Sequence, residues 1–361
     1  MQAACQPGPP PHPSPPLSLP ARAIISAVEQ IALASIATRT RSPLSSPPPP
    51  LPAPSPEMDA LSAQPAWALA LAGVGLMVAA TASARLARWL YAAFLRPGKP
   101  LRRRYGEWAV VTGATDGIGR ALAFRFAGAG MSLVLVGRSP DKLAAVSGEI
   151  RGKHPRAEVR TFVLDFAAEG LASKVAALGD SIRGLDVGVL VNSAGMSYPY
   201  ARYFHEVDEE LMRNLIRLNV EALTRVTHAV LPGMVERKRG AIVNIGSGAS
   251  SILPSYPLYS VYAATKAYVD QFSRCLYVEY KNKGIDVQCQ ASFFAPSPET
   301  YARAAVRYIG YETRCTPYWP HAVLWFLISA FPEPIVDRLL LNMSVGIRKR
   351  GMAKDARKKT Q

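Results

Sequence analysis

The chain has 361 residues, room for one large domain or two small ones, and its 42 Lys and Arg against 26 Asp and Glu give a formal charge of +16. No zinc-finger spacing or RNA-binding aromatic pattern accompanies that charge, which argues against a nucleic-acid partner. Four cysteines, Cys5, Cys275, Cys289 and Cys315, show no paired spacing, so neither a disulfide framework nor a metal site is indicated, and a reducing, cytosol-facing setting is the default.

From the N-terminus, 16 of the 31 prolines fall in residues 1–56, and Glu29 is the single acidic residue before Glu57. Tetraproline at Pro47–Pro50 favours an extended, solvated chain, so residues 1–57 are set outside the fold as a disordered Pro-rich extension. The favoured reading is a dispensable extension with Met58 opening the functional protein. The alternative is an organelle transit peptide, whose acid-poor, Ser- and Arg-containing composition is similar.

Ala66–Ala84 then gives 19 residues without a charge, about enough to cross a ~30 Å hydrocarbon core. A buried soluble helix is the competing reading. Against it, Arg85 and Arg88 follow directly, Trp89, Tyr91 and Phe94 supply interfacial aromatics, and Arg96–Arg104 adds cations. Positive charge on that flank predicts a cytosolic C-terminal side, so residues 58–104 are read as a membrane anchor with its basic flank. The second basic cluster, Arg348–Lys359, suits the same anionic membrane surface.

From Glu107 onward strand and helix patterns alternate. Strand-like apolar runs lie at Trp108–Thr112, Leu133–Gly137, Val159–Leu164, Val187–Asn192, Ala241–Ile245 and Ile285–Gln290. Ser139 and Pro140 are suited to N-cap and open a helix running toward His154, and Asp208 opens a later one through Leu218 and Val230. Near-continuous apolar strands separated by helices predict an α/β fold, a doubly wound parallel sheet of Rossmann-like type over residues 105–310.

Between the first strand and its helix stands Thr112-Gly-Ala-Thr-Asp-Gly-Ile-Gly119. Glycines here let the backbone turn sharply and approach a pyrophosphate seated on a helix N-terminus. Gly113, Thr115, Asp116, Gly117, Ile118 and Gly119 are therefore candidate dinucleotide contacts. Strand two ends in Gly137-Arg138, where a carboxylate would suit NAD and an arginine suits a 2′-phosphate. Arg138, helped by Arg120 or Lys142, points to NADP(H). Asp165, closing the third strand, is placed to accept a bond from the adenine amino group.

Tyr262 and Lys266, four apart on a predicted helix, project from one face. A nearby ammonium stabilises phenolate and brings proton exchange toward neutral pH. Tyr259 competes for the role, but Ala263 stands where its lysine should be. Ser247 follows strand five and is favoured over Ser250 and Ser251 as a donor to a substrate carbonyl.

These residues, with Asn192-Ser-Ala-Gly195 and Asn219, resemble the short-chain dehydrogenase/reductase family over roughly Trp108 to Gln290. The resemblance implies Tyr262 as general acid and Ser247 as the carbonyl's hydrogen-bond donor. It also implies that Lys266 lowers the Tyr pKa and holds the nicotinamide ribose, and that Asn219 positions a proton-relay water. Asn192 and Ala194 would border the adenosine side of NADPH. Ser193 stands where the family usually has Asn.

Within the family, Phe94-Leu-Arg-Pro-Gly-Lys99, Ser197-Tyr-Pro-Tyr-Ala-Arg202, His205-Glu-Val-Asp-Glu-Glu210, Tyr259–Tyr268 and Cys315-Thr-Pro-Tyr-Trp-Pro320 resemble the membrane-bound very-long-chain 3-oxoacyl-CoA reductases of plant fatty-acid elongation. That resemblance implies reduction of a long-chain 3-oxoacyl-CoA to the (3R)-hydroxyacyl-CoA, other elongase subunits as partners, and an endoplasmic reticulum membrane location with the catalytic domain cytosolic. The ending Lys358-Lys359-Thr-Gln361 is similar to a dilysine retrieval signal. A hydroxysteroid substrate, or an inactive variant that binds elongase partners, is the alternative.

Two stretches depart from this pattern. Family members follow strand six with a Pro-containing segment leading to a Thr and then a mobile substrate-covering loop. Here Gln290 runs straight into Ala291-Ser-Phe-Phe-Ala-Pro-Ser-Pro298, which reads as a missing segment that leaves the nicotinamide face poorly oriented. Residues 311–361 form a membrane-proximal C-terminal extension with a basic tail. In it, apolar His321–Phe331 is too short to span, and packing on the core is favoured over lining an acyl site or resting on the bilayer.

Overall fold

The computed structural model describes residues 65–251, 253–291 and 297–359. The Pro-rich extension, the last two residues of the dilysine-like ending and residues 292–296 of the departure after Gln290 lie outside the described residues. The chain divides into two units, Met1–Met77 and Val78–Gln361.

The described part of the first unit, from Ala66, is helical, and this helix, α1, runs to Leu90 before a π-helical turn over Tyr91–Leu95. The Ala66–Leu95 stretch is long and apolar enough to cross a membrane, and none of its most apolar window is buried. It outlasts the expected Ala66–Ala84 because nothing breaks the helix before Pro97. Arg96, preceding that proline, is extended at ψ 123°, as sterics before Pro require.

Arg96 is also where the chain is gripped. Its guanidinium bonds both carboxylate oxygens of Glu312 and lies 4.9 Å and 4.0 Å from the ring centres of Tyr308 and Tyr311. Tyr311 donates to the Pro97 carbonyl at 2.9 Å, Arg307 to the Arg96 carbonyl at 3.0 Å, and Lys99 to the Gly310 carbonyl. Arg102 pairs with Glu107, and Arg104 lies 3.6 Å from Asp286. The basic flank expected to face lipid headgroups is largely a strap sewn onto the domain. Its short helix α2, Leu101–Tyr105, buries Leu101 and Tyr105.

Seven parallel strands follow: β1 Trp108–Thr112, β2 Ser132–Gly137, β3 Val159–Val163, β4 Val187–Asn192, β5 Gly240–Ile245, β6 Ile285–Gln290 and β7 Arg314–Cys315. Their order is β3-β2-β1-β4-β5-β6-β7. Every residue of β1, β2, β4 and β5 is buried, the state that their unbroken apolar runs predict for a sheet covered on both faces. Alternate residues serve two cores. Ala109 and Val111 meet Leu122 and Phe126 of α3 (Gly117–Gly128), Leu143 and Ile150 of α4 (Pro140–Lys153), and Tyr301 on the same side. Val110 and Leu190 meet Leu178 of α5 (Leu171–Ser181) and, on the same face, Val230 and Leu276.

Ser139 caps α4, accepting from Lys142 N at 3.4 Å, and Asp208 caps α6 (Glu209–Ile216), accepting from Leu211 N at 2.7 Å. A π-helical turn, Arg217–Ala222, joins α6 to α7 (Leu223–Glu236). A short turn of helix, α8 (Gly248–Ser251), precedes α9 (Ser260–Tyr280). After β6 comes α10 (Pro298–Tyr308), packed against α3 through the core around Tyr301 and Ala305. Strand β7 extends the sheet past Gly310, through Cys289 N to Thr313 O and Ala291 N to Cys315 O.

The end of the chain overturns one expectation. The segment around His321–Phe331 forms α11 (Trp319–Ser329), in which His321 is the one buried residue, so it does not pack into the core. A long helix, α12 (Glu333–Lys359), returns across the domain. Its Val336 and Leu340 cluster with Leu253, and its Val345 and Ile347 with Tyr198 and Tyr259.

Candidate active site

In this sheet order β1 lies between β2 and β4, the point where the winding reverses, and crevices outside the strand C-termini at such a point take ligands. The glycine turn sits there. A side chain at Gly119 would stand 2.3 Å from the Gly113 carbonyl oxygen, so that position is closed by backbone contact. Gly117 is different: its φ is +55°, and nothing lies within 4 Å of where a Cβ would point. This open notch above a helix start is shaped for a close backbone approach by a phosphate.

Gly113 backs onto the Ser193–Ala194 backbone, and Thr112 holds that crossing in register. The Thr112 hydroxyl donates to Val191 O at 3.2 Å and accepts from Ser193 N and Ala194 N at 3.1 and 3.2 Å. Thr112 was not singled out in sequence, although a hydroxyl at the strand's last position was the available signal. Asp116 caps α3, accepting from Gly117 N at 2.7 Å. Ile118 packs on the core, and Thr115 presses its methyl toward Gly137.

At the end of β2, Arg138 is exposed and has no hydrogen bond or ion pair among the described residues. Lys142 is exposed one turn on. Arg120 is engaged elsewhere, pairing with Glu149 at 2.5 Å and stacking on Phe124. Asp165 lies two residues past the end of β3. One carboxylate oxygen accepts from Ala167 N at 3.0 Å, and the side chain is otherwise exposed.

Asn192 faces inward, donating to Thr227 at 2.9 Å and to the Asn244 side-chain oxygen at 2.8 Å, while Asn244 in turn donates to Ser273. Its amide nitrogen thus knits β4 to β5 and α7, and only the backbone after it reaches the crevice. Asn219, in the π-helical turn, accepts from Met196 N and donates to Met196 O and to Thr265, all within 2.9–3.0 Å. Such turns often mark functional sites. Both protons on its amide nitrogen are spent, leaving one lone pair on the oxygen. A Cβ at Gly195 would stand 3.2 Å from that oxygen and 3.5 Å from Lys266 Nζ, so the two atoms border the same space.

Ser247 and Tyr262 come together. The Ser247 hydroxyl is close enough to the Tyr262 phenol to favour its ionised form, and it accepts from Ala249 N at 3.1 Å. Ser250 turns its hydroxyl to the Ser247 carbonyl, away from this pair. Tyr259 is stacked on Tyr256 at 4.6 Å within an aromatic cluster. Lys266 shares the α9 face with Tyr262, but its ammonium donates to the Ile245 carbonyl at 2.9 Å and lies 6.0 Å from the Tyr262 ring centre.

That geometry corrects one electrostatic expectation. Burial pushes the Tyr262 phenol up, opposed by the neighbouring Ser247 hydroxyl, with no relief from Lys266. Lys266 is itself lowered to about 8, because burial removes its ammonium from water. Cys289, close by under Gly246, is pushed up to about 12 by burial and stays a neutral thiol.

The family profile described as short chain dehydrogenase matches residues 107–296. A very-long-chain 3-oxoacyl-CoA reductase-like protein of Arabidopsis thaliana is 46% identical over 286 residues, covering 74% of this chain and 90% of its own length. The very-long-chain 3-oxoacyl-CoA reductase of Homo sapiens is 42% identical, covering 67% and 81%. Among solved structures, a 7beta-hydroxysteroid dehydrogenase superposes with TM-score 0.61 at 25% identity, covering 66% of this chain and 98% of its own. A metagenomic short-chain oxidoreductase in complex with NADP gives TM-score 0.51 at 28% identity, with 58% and 90% covered.

Proposed function

The chain belongs to the short chain dehydrogenase family of oxidoreductases, and from that premise we propose that it reduces very-long-chain 3-oxoacyl-CoA to the (3R)-3-hydroxyacyl-CoA with NADPH. The observation that carries the chemistry is the juxtaposition of Ser247 and the Tyr262 phenol, with Lys266 on the same helix face and the open Gly117 notch at the neighbouring strand end. NADPH, when bound, supplies the hydride. The residues fit it: the notch would accept the pyrophosphate, and exposed Arg138, with Lys142, would meet the 2′-phosphate. Asp165 and the backbone at Ala194 border the adenosine.

The chain's own groups then manage the proton. Ser247 donates to the substrate carbonyl and fixes it against Tyr262, which gives its proton to the oxygen as negative charge develops. Lys266, its ammonium fixed on the Ile245 carbonyl, would hold the nicotinamide ribose. A water in the space bordered by Asn219 Oδ1 and Lys266 Nζ refills the proton. The acyl-CoA reading is preferred to a steroid because the relatives named for it share 46% and 42% identity, against 25% for the hydroxysteroid enzyme. The apolar α1 and the reductase relatives support a place in the endoplasmic reticulum membrane, catalytic domain cytosolic, among other elongase subunits.

One observation favours a second reading, a catalytically impaired chain that keeps its partners. Ala291 still pairs with Cys315, and α10 opens at Pro298 and packs straight onto α3, leaving little chain to cover the nicotinamide face. A misplacement there costs about 10²-fold in rate. The deciding assay is NADPH oxidation by the full chain in membranes with a very-long-chain 3-oxoacyl-CoA, beside the human relative and with a steroid ketone as competitor. Turnover blocked by the steroid, or none while the relative turns over, would falsify the acyl-CoA reductase reading.

A further inference from the structure

Helix α11 carries no Asp, Glu, Lys or Arg, and its large apolar side chains face outward. Trp319, Val323, Phe326 and Leu327 fall at i, i+4, i+7 and i+8, a single helical face, and Phe326 is 72% exposed. Phe331, after α11, and Ile335 and Leu339, in the first turns of α12, are exposed as well. The opposite side is anchored: Ile328 packs on the cluster of Leu253, Val336 and Leu340. A continuous apolar face of this kind marks a contact surface rather than scattered exposure.

What covers it follows from its neighbour. The Phe94 ring, in the π-helical turn that ends the apolar α1 stretch, lies 6.1 Å from Trp319 and 6.1 Å from Trp89. An aromatic column therefore leads from the end of the membrane-crossing candidate into the first turn of α11. The Arg96 grip on Glu312 fixes that junction to the domain. At 11 residues α11 is too short to span a bilayer, and its exposed apolar face can be buried only in the acyl boundary of a membrane surface or against another protein.

We propose that α11, with the first turns of α12, is seated in the bilayer surface beside the point where α1 leaves it, a second and monotopic membrane contact. The proposal rests on α1 being the membrane anchor. Because α12 continues from this seat to the cluster of Tyr198, Tyr259 and Tyr262, the contact also ties the site's aromatic cluster to the membrane seat.

The test uses the full chain in phosphatidylcholine vesicles carrying a photoactivatable diazirine-acyl phosphatidylcholine, with adducts mapped by peptide mass spectrometry. Adducts are expected in residues 66–95 and again in 319–339. A paired variant, Phe326→Asp with Leu327→Asp, changes two exposed positions. It should cut the second set about tenfold or more while leaving the first, since a carboxylate at membrane depth is strongly disfavoured. Adducts in α1 with none in α11 overturn the proposal. Absence of adducts in α1 overturns the anchor reading itself.

Discussion

Lys266 gives its ammonium to the backbone carbonyl of Ile245, at 2.9 Å across the end of β5. The cation is thereby held in the site before any substrate arrives, at the cost of its water. A shift from 10.5 to about 8 corresponds to on the order of 3 kcal/mol of desolvation. Below about pH 8 the folded chain carries this cost in full. Between about 8 and 10.5 the unfolded chain binds the extra proton, so stability rises with pH. Lys266→Met should lose that rise, which Tm measured across this range will show. Parallel curves for the two proteins would mean that the ammonium is not desolvated in the fold.

Tyr262→Phe removes the proton donor and leaves the cradle intact. Turnover should fall about 10²–10⁴-fold with little change in NADPH binding. A lipid profile and a turnover that both stay unchanged would assign the chain to a binding role among elongase partners.

Two glycines separate folding from cofactor binding. Gly119→Ala puts a methyl 2.3 Å from a backbone carbonyl and should cost about 1–3 kcal/mol of stability, read as a lowered Tm. Gly117→Ala adds about 1 kcal/mol of backbone strain without a clash, but fills the notch. It should keep most of its Tm and bind NADPH at least about tenfold more weakly by fluorescence titration, each tenfold being about 1.4 kcal/mol.

Arg138→Glu exchanges a cation that has no partner among the described residues for a carboxylate at the proposed 2′-phosphate position. The ratio of kcat/KM for NADPH over NADH should fall by about two orders of magnitude. An unchanged ratio would make Arg138 an ordinary surface residue.

Much of this was legible in residue types. Strands β1, β2, β4 and β5 are largely apolar runs of five or six residues, and Ser139 and Asp208 cap helices because short polar side chains accept from the next turn's free N–H groups. What escaped depended on partners far along the chain. Strand β7 is two residues long and exists because Thr313 and Cys315 offer carbonyls to Cys289 and Ala291. Helix α11 reads as core by composition alone, since apolarity specifies burial in something without naming what. The direction of the Lys266 ammonium is a rotamer, and i, i+4 spacing with Tyr262 does not determine it.

Arg96→Ala leaves Glu312 without its bidentate partner and two tyrosine rings without their cation. A loss of about 2 kcal/mol is expected, measured by denaturant unfolding of the domain in detergent, from the worth of hydrogen bonds to charged groups. A neutral result would mark the strap as a passive linker.

The same grip makes the last turns of α1 a lever rather than a leash. With Arg96, Pro97 and Lys99 all fastened to residues 307–312, there is no slack between Leu95 and the edge of the sheet. A tilt or piston movement at that end is delivered to Tyr311 and Glu312, then to β7, and through its two backbone bonds to the end of β6. The end of β6 bonds Gly246, so mechanical strain entering at the strap terminates one residue from Ser247, the proposed donor to the substrate carbonyl.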